Sequence, residues 1–229
     1  MRRLTTILAT AAALSLALAS TATPEGHIVI RGVPTGTHLR LSMSGSELSV
    51  TGPMEAVTGC RFARGHGAAT CPLANIGSIE VDTGPAEDKV EVLERLPLPL
   101  VAYLGAGSDK MIGNGERDTC YPQGTDRNRC IGEGGNDICI SAPVNTDCVG
   151  GPGDDYCKTG SGSDGCWGGP GQDVCLMGDG QDGCHGEEGD DRLYGGGGSD
   201  QLYGGSGSDY CDGGPTSGQS QECEAGPRH

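Results

Sequence analysis

Aromatic side chains are scarce in this sequence: its 229 residues include six tyrosines, one tryptophan and one phenylalanine. With glycine at 43 positions as well, a core of large interlocking side chains is hard to build, so backbone hydrogen bonds, crosslinks or ions must compensate. Positive charge is also in short supply. Fifteen Lys and Arg face 31 Asp and Glu, for a formal charge of -16. That balance excludes nucleic acid and anionic lipid surfaces as partners, since both are held by basic side chains that displace counterions, and it favours cations. After the N-terminal apolar run no stretch approaches the ~18 apolar residues of a bilayer span, so no membrane insertion is expected. The twelve cysteines contain no Cys-x-x-Cys, and H-E-x-x-H, G-x-S-x-G and EF-hand loops are absent. With no catalytic set in view, the chain is expected not to be an enzyme.

Arg2 and Arg3 precede an apolar run from Leu4 to Ala19 that closes on Ala17-Leu18-Ala19. Residues 1–22 therefore read as a secretory signal peptide, cleaved between Ser20 and Pro24. An even cysteine count fits the oxidising compartment to which such a signal leads. Residues 23–103 form a second section, where apolar residues alternate at Leu39, Leu41 and Met43, at Leu48 and Val50, at Ile79 and Val81 and at Val90 and Val92. Period two predicts strands with one buried face, hence a small β-rich region. Cys60 and Cys71 bracket a glycine-containing turn that a disulfide would close, and Pro97 and Pro99 mark the break before the next section. His27, His38 and His66 lack metal-ligand spacing and read as solvated or packing residues.

From Gly150 the chain divides into seven consecutive nonapeptides: GGPGDDYCK, TGSGSDGCW, GGPGQDVCL, MGDGQDGCH, GEEGDDRLY, GGGGSDQLY and GGSGSDYCD. Their sixth residues are Asp155, Asp164, Asp173, Asp182, Asp191, Asp200 and Asp209; their eighth are Cys157, Cys166, Cys175, Cys184, Leu193, Leu202 and Cys211. The register reaches back to Asp137 and Cys139, to Thr146 and Cys148, and to Asn128 and Cys130. Two units in a different phase carry Asp109 and Asp118. In a flexible Gly/Ser/Asp linker the aspartates would drift; here they do not. The strings GSGSDG and GDGQDG formally satisfy the dinucleotide fingerprint, but they are by-products of the lattice with no long helix to follow.

This pattern resembles the RTX family of calcium-binding nonapeptides, GGxGxDxUx with U a large apolar residue, over residues 104–212. The resemblance implies an all-β fold, a right-handed parallel β-roll with two nonapeptides per turn, followed by a tail at 213–229. Glycines at positions one, two and four would permit tight turning at positive φ and bring carbonyl oxygens inward, which a side chain would block, and x-U-x would form a short strand with U inside. Residues eighteen apart would then stack, with Asp137, Asp155, Asp173, Asp191 and Asp209 on one edge and Asp164, Asp182 and Asp200 on the other, in line with Thr146. Carboxylates about 4.8 Å apart repel unless a cation lies between them. Aspartate and carbonyl oxygens suit Ca2+ better than Mg2+. The implied ligands are these eight aspartates with Gly150, Gly168, Gly195 and Gly204, and neighbouring pairs correspond to about six ions. Residues 132–212 hold 16 acidic and 2 basic side chains, which that number of Ca2+ would nearly neutralise. Without metal this section is expected to be expanded.

Cysteine at U, where the family has leucine, is the departure. U residues nine apart would oppose one another across the roll. Pairing each cysteine with its nearest neighbour gives Cys60 with Cys71, Cys120 with Cys130, Cys139 with Cys148, Cys157 with Cys166, Cys175 with Cys184 and Cys211 with Cys223. This uses all twelve, whereas other phases leave orphans; a thin core of buried thiols is the alternative. Trp167, Tyr194 and Tyr203 share the ninth position and, like His185, should face outward. The function that follows is a secreted, extracellular calcium-binding protein with a disulfide-stapled, Ca-stabilised roll. Two alternatives stay open: a calcium-dependent adhesion module with a glycan or cell-surface partner, and a non-catalytic part of a secreted hydrolase.

Overall fold

The computed structural model describes residues 27–33, 35–63, 67–94, 96–124, 126–141, 144–215, 219–221 and 223, with the backbone alone at 219–221. The expected signal peptide and His66 lie outside the described residues. All regular structure among them is β, arranged as two long sheets. In spatial order, one sheet holds Met54–Val57, His27–Gly32, Ser78–Asp82, Leu100–Leu104, Thr119–Pro122, Ile138–Ile140, Tyr156–Lys158, Val174–Gly180, Arg192–Gly198 and Tyr210–Asp212. The other holds Arg61–Phe62, Ala68–Pro72, Glu47–Thr51, His38–Ser44, Lys89–Val92, Lys110–Ile112, Asn128–Ile131, Thr146–Val149, Gly165–Pro170, Gly183–Glu188, Gln201–Ser206 and Gln219–Gln221.

From Ser78 on, successive strands alternate between the sheets, apart from the short Ser161–Gly162 that pairs with Val174–Gly180 on the first sheet, and pair in parallel, giving a β-solenoid with about seven turns, the β-roll that the repeat implies. The register is the expected eighteen. Cys139, Cys157, Cys175, Leu193 and Cys211 are successive partners on the first sheet. On the second, Cys148, Cys166, Cys184 and Leu202 follow one another. All these U residues point inward, none more than 8% exposed.

Both sheets run unbroken across residues 103 and 104. His27–Gly32 pairs in parallel with Ser78–Asp82 and His38–Ser44 with Lys89–Val92, so the first turn is formed by the N-terminal section itself. Residues 45–77 leave that turn, add antiparallel strands to both sheets and return. The Cys60–Cys71 disulfide ties this excursion together. The expected alternation is realised: Leu39, Leu41, Leu48, Val50, Ile79, Val81 and Val90 are fully buried. Each such side chain contributes about 1.5–3 kcal/mol of hydrophobic stabilisation. Further along the roll most of these positions are cysteine, which buries less, and stability there must come from elsewhere.

Candidate metal centre

Strand pairing at eighteen-residue intervals stacks the sixth-position residues into two columns. In the first, the N–H of Asp137 donates to Asp155 Oδ1 at 2.6 Å, Asp155 to Asp173 at 2.7 Å, Asp173 to Asp191 at 2.8 Å and Asp191 to Asp209 at 3.0 Å. In the second, Thr146 donates to Asp164 Oδ1 at 2.7 Å, Asp164 to Asp182 at 2.9 Å and Asp182 to Asp200 at 3.1 Å. One carboxylate oxygen of each aspartate thus ties its turn to the one before. The other, Oδ2, is buried and has no hydrogen-bond partner in all eight. A buried, ionised, unpaired carboxylate costs several kcal/mol.

Titration behaviour reflects this. Desolvation, opposed by the backbone hydrogen bond and reinforced by neighbouring carboxylates, pushes Asp137 up to about 8 and Asp155 and Asp173 to about 7. Asp182 rises to about 6 from the same causes, and Asp164, Asp191 and Asp200 are raised, chiefly by burial.

The glycines explain where the free oxygens point. A β-carbon on Gly168 would stand 2.2 Å from Asp173 Oδ2 and 2.8 Å from the Gly186 carbonyl oxygen. On Gly150 it would meet Asp155 Oδ2 at 2.0 Å and the Gly168 carbonyl at 2.7 Å; on Gly186, Asp191 Oδ2 at 2.1 Å and the Gly204 carbonyl at 2.5 Å. Gly195 stands in the same relation to Asp200 Oδ2, at 2.6 Å. First-position glycine therefore clears a cradle for the carboxylate and the next turn's carbonyl. This revises the sequence expectation for that position: positive φ occurs at positions two and four, as at Gly151, Gly169, Gly153 and Gly198, but not at Gly150, Gly168 or Gly195. The donors gathered there are carboxylate and carbonyl oxygens, the set a hard divalent cation requires. Gly168→Ala should accordingly weaken Ca2+ binding about tenfold or more, the scale of overpacking a tight site. Gly183→Ala, with nothing within 4 Å of the added carbon, should bind like the natural chain in the same calorimetric titration.

The structure adds residues to both columns. Thr37 N–H donates to Asp88 Oδ1, Asp88 N–H to Asp109 Oδ1 at 2.9 Å and Asp109 N–H to Asn128 Oδ1 at 2.8 Å, extending the second column upstream. Asp88 and Asp109 also have buried, unpartnered Oδ2 atoms, and burial pushes Asp109 up to about 7. Asp118 heads the first column but differs, because its Oδ2 accepts the Asn114 N–H at 2.6 Å. Asp88 was readable as the sixth residue of TGPAEDKVE, with Val90 at U, had that unit's missing first and fourth glycines not disguised it.

Four disulfides follow the expected pairing: Cys60–Cys71, Cys120–Cys130, Cys139–Cys148 and Cys211–Cys223. The pairs Cys157–Cys166 and Cys175–Cys184 do not form. Cys166 bonds to Cys175 instead, leaving Cys157 and Cys184 as buried thiols. The reason is geometric: an inward residue faces one U nine residues before it and another nine after. The Cα–Cα separations are 6.2 Å for Cys139–Cys148 and 6.5 Å for Cys166–Cys175, so both phases reach disulfide distance.

Residues 149–175 and 185–215 match, in four copies, the family model of the RTX calcium-binding nonapeptide repeat. The chain carries RTX repeats. Comparison with curated proteins and with solved structures finds no significant match. The RTX match ends well short of Asp88 and Asp109, so the roll and its acidic columns continue beyond the recognisable repeats.

Outside the RTX columns, Trp167, His185 and Tyr203 stack on the outer face of the second sheet, with centroids 6.1 and 4.7 Å apart and planes within 1° and 11° of parallel. Tyr194, also at a ninth position, lies on the other sheet against Tyr210, because alternate nonapeptides go to opposite sheets. His27 bonds to Ser78 and His38 lies 3.6 Å from Glu91, both as cross-strand neighbours.

Proposed function

We propose that this is a secreted calcium-binding protein in which Ca2+ completes and stiffens the β-roll. Support comes above all from the buried Oδ2 atoms, stacked turn upon turn without a hydrogen-bond donor. Asp137, Asp155, Asp173, Asp191 and Asp209 on one edge, and Asp164, Asp182 and Asp200 on the other, hold the ions together with the loop carbonyls at Gly150, Gly168, Gly195 and Gly204. Bound calcium supplies the positive charge that lets these carboxylates stay ionised inside the roll. The repeats provide about six neighbouring pairs, and Asp88 with Asp109 provides one more; Asp118, satisfied by Asn114, provides none. Five disulfides in so acidic a chain fit an extracellular setting.

The role is that of a calcium-stiffened scaffold. The outer aromatic column does not favour a glycan platform, since His185 has both faces, and Trp167 and Tyr203 one face each, taken up within the stack. Calorimetric titration of chelator-stripped protein should give about seven Ca2+ per chain, and Asp109→Asn should remove one without changing the rest. A stoichiometry below two, or equally good Mg2+ binding, would end the calcium reading.

A further inference from the structure

Eight cysteines line the middle of the roll in two facing columns. Cys120, Cys139, Cys157 and Cys175 are register partners on the first sheet, and Cys130, Cys148, Cys166 and Cys184 on the second. The Cys184 sulfur lies within 4.8 Å of both sulfurs of the Cys166–Cys175 bond, and that of Cys157 within 4.8 Å of both sulfurs of Cys139–Cys148. A cavity of about 20 Å³ is lined by seven of the eight residues, from Cys120 to Cys175.

We infer that Cys157, Cys166, Cys175 and Cys184 form a two-electron redox site inside the roll, with one state carrying Cys166–Cys175 and two thiols and the other carrying Cys157–Cys166 and Cys175–Cys184. The two thiols of the first state are 27 positions apart and cannot bond directly. One internal exchange brings them together. The Cys184 sulfur, giving up its proton, bonds to Cys175 Sγ; the Cys166–Cys175 bond breaks, and the electron pair and a proton go to Cys166. Cys157 and Cys166 are then thiols nine residues apart on facing strands, the relation that gives disulfides at Cys139–Cys148 and Cys120–Cys130. A low-molecular-weight disulfide accepts their two electrons and two protons, leaving as two thiols, and the Cys157–Cys166 bond forms. The oxidised state has all its central bonds in one phase. The other state has one bond in the opposite phase, linking the Gly165–Pro170 strand of one turn to the Val174–Gly180 strand of the next.

The test is to refold the fully reduced chain in glutathione buffers of increasing oxidised fraction, with excess calcium, so that the buried sulfurs equilibrate during folding. Acid quenching, alkylation and peptide mapping then read every pair. The expected result is a single two-electron step, in which alkylation of Cys157 and Cys184 is lost while Cys166–Cys175 gives way to Cys157–Cys166 and Cys175–Cys184. The other four disulfides should stay constant across the step. Cys184→Ser should abolish the step and leave one alkylatable thiol at every poise. The inference is overturned if Cys166–Cys175 persists with glutathione attached to Cys157 and Cys184. It is equally overturned if only the fully paired form appears whenever Cys120–Cys130 and Cys139–Cys148 do, or if the step survives in the serine variant.

Discussion

Asp173→Asn should stabilise the metal-free protein and destabilise the calcium-saturated one. Asparagine keeps an Oδ1 that can accept the Asp155 N–H, which Asp173 receives at 2.7 Å, so the turn-to-turn tie survives. What changes is Oδ2, buried and unpartnered in the natural chain. At pH 8, above the value of about 7 to which burial pushes Asp173, removing that charge relieves a penalty. The gain should be about 1–3 kcal/mol, the difference between an unpaired buried charge and an unpaired buried amide. With calcium the sign reverses, because an amide nitrogen cannot ligate the ion and Asp173 lies between Asp155 and Asp191, so two sites suffer together. Each occupied site at a hundredfold excess of calcium over its dissociation constant contributes about 2.7 kcal/mol, so the loss should exceed the metal-free gain. Asp209→Asn, at the end of the column, should lose only one site. Urea midpoints with chelator and with excess calcium measure both; a change of the same sign in the two conditions would refute the metal role of this column.

Acidity should act on the metal-free roll in the opposite direction to its usual effect on salt-bridged proteins. A carboxyl that titrates higher in the folded than in the unfolded chain binds more protons when folded, so stability declines as pH rises. Below the ordinary aspartate value near 3.8 the penalty is absent. It accumulates through about 6 at Asp182 and about 7 at Asp155 and Asp173, and is complete above about 8 at Asp137. Chelated protein should therefore be most ordered at the acidic end and lose far-UV circular dichroism progressively towards pH 8. Calcium, which needs the ionised carboxylates, should abolish that decline at neutral pH and bind more weakly as pH falls through the same range. Added monovalent salt should leave the decline largely in place, because these groups are buried and screened little. Chelated protein that grows more stable from pH 4 to pH 8 would show that the columns are not a buried charge problem at all.

The acidic columns from Asp137 to Asp209 were legible because the period is strict and the RTX resemblance implies two units per turn, after which residues eighteen apart must stack. The alternating pairs Leu39 and Leu41 or Ile79 and Val81 gave strands for a similar reason. Continuity of the N-terminal section with the roll was not legible. The thirty-odd residues between His38–Ser44 and Ser78–Asp82 separate in sequence two strands that belong to adjacent turns, and nothing in a periodicity scan reports a pairing across such an excursion. Asp88 was hidden by Ala86 at the fourth position of its unit, although its carboxylate behaves like the others. The disulfide phase was legible only in part: four pairs form as expected, but Cys157, Cys166 and Cys175 each have an inward cysteine nine residues away on either side, and there sequence distance cannot choose between them. The role of first-position glycine was legible in part: a side chain there would block the inward carbonyls, as expected, but no positive φ is used, and the space Gly168 leaves beside Asp173 Oδ2 was not readable from sequence.

The change of core along the roll gives the molecule a direction. Around Ile28, Leu39, Leu48, Ile79 and Val90 the interior is aliphatic and an antiparallel excursion closes the end of both sheets, so this end has what it needs to be ordered by burial alone. Beyond Cys120 the interior is mostly sulfur, and order depends on the aspartate columns. Adjacent turns exchange amide hydrogen bonds in both directions, Tyr156 donating to the Asp137 carbonyl and Gly150 to that of Trp167, so a new turn finds its partners only beside one that is already ordered. The aliphatic end should thus serve as a preformed seed, with the ion-dependent turns expected to assemble on it from Lys110 towards Asp212. Shortening the chain from its C-terminus should leave a shorter but intact roll, while loss of the aliphatic end leaves the remaining turns with nothing on which to start.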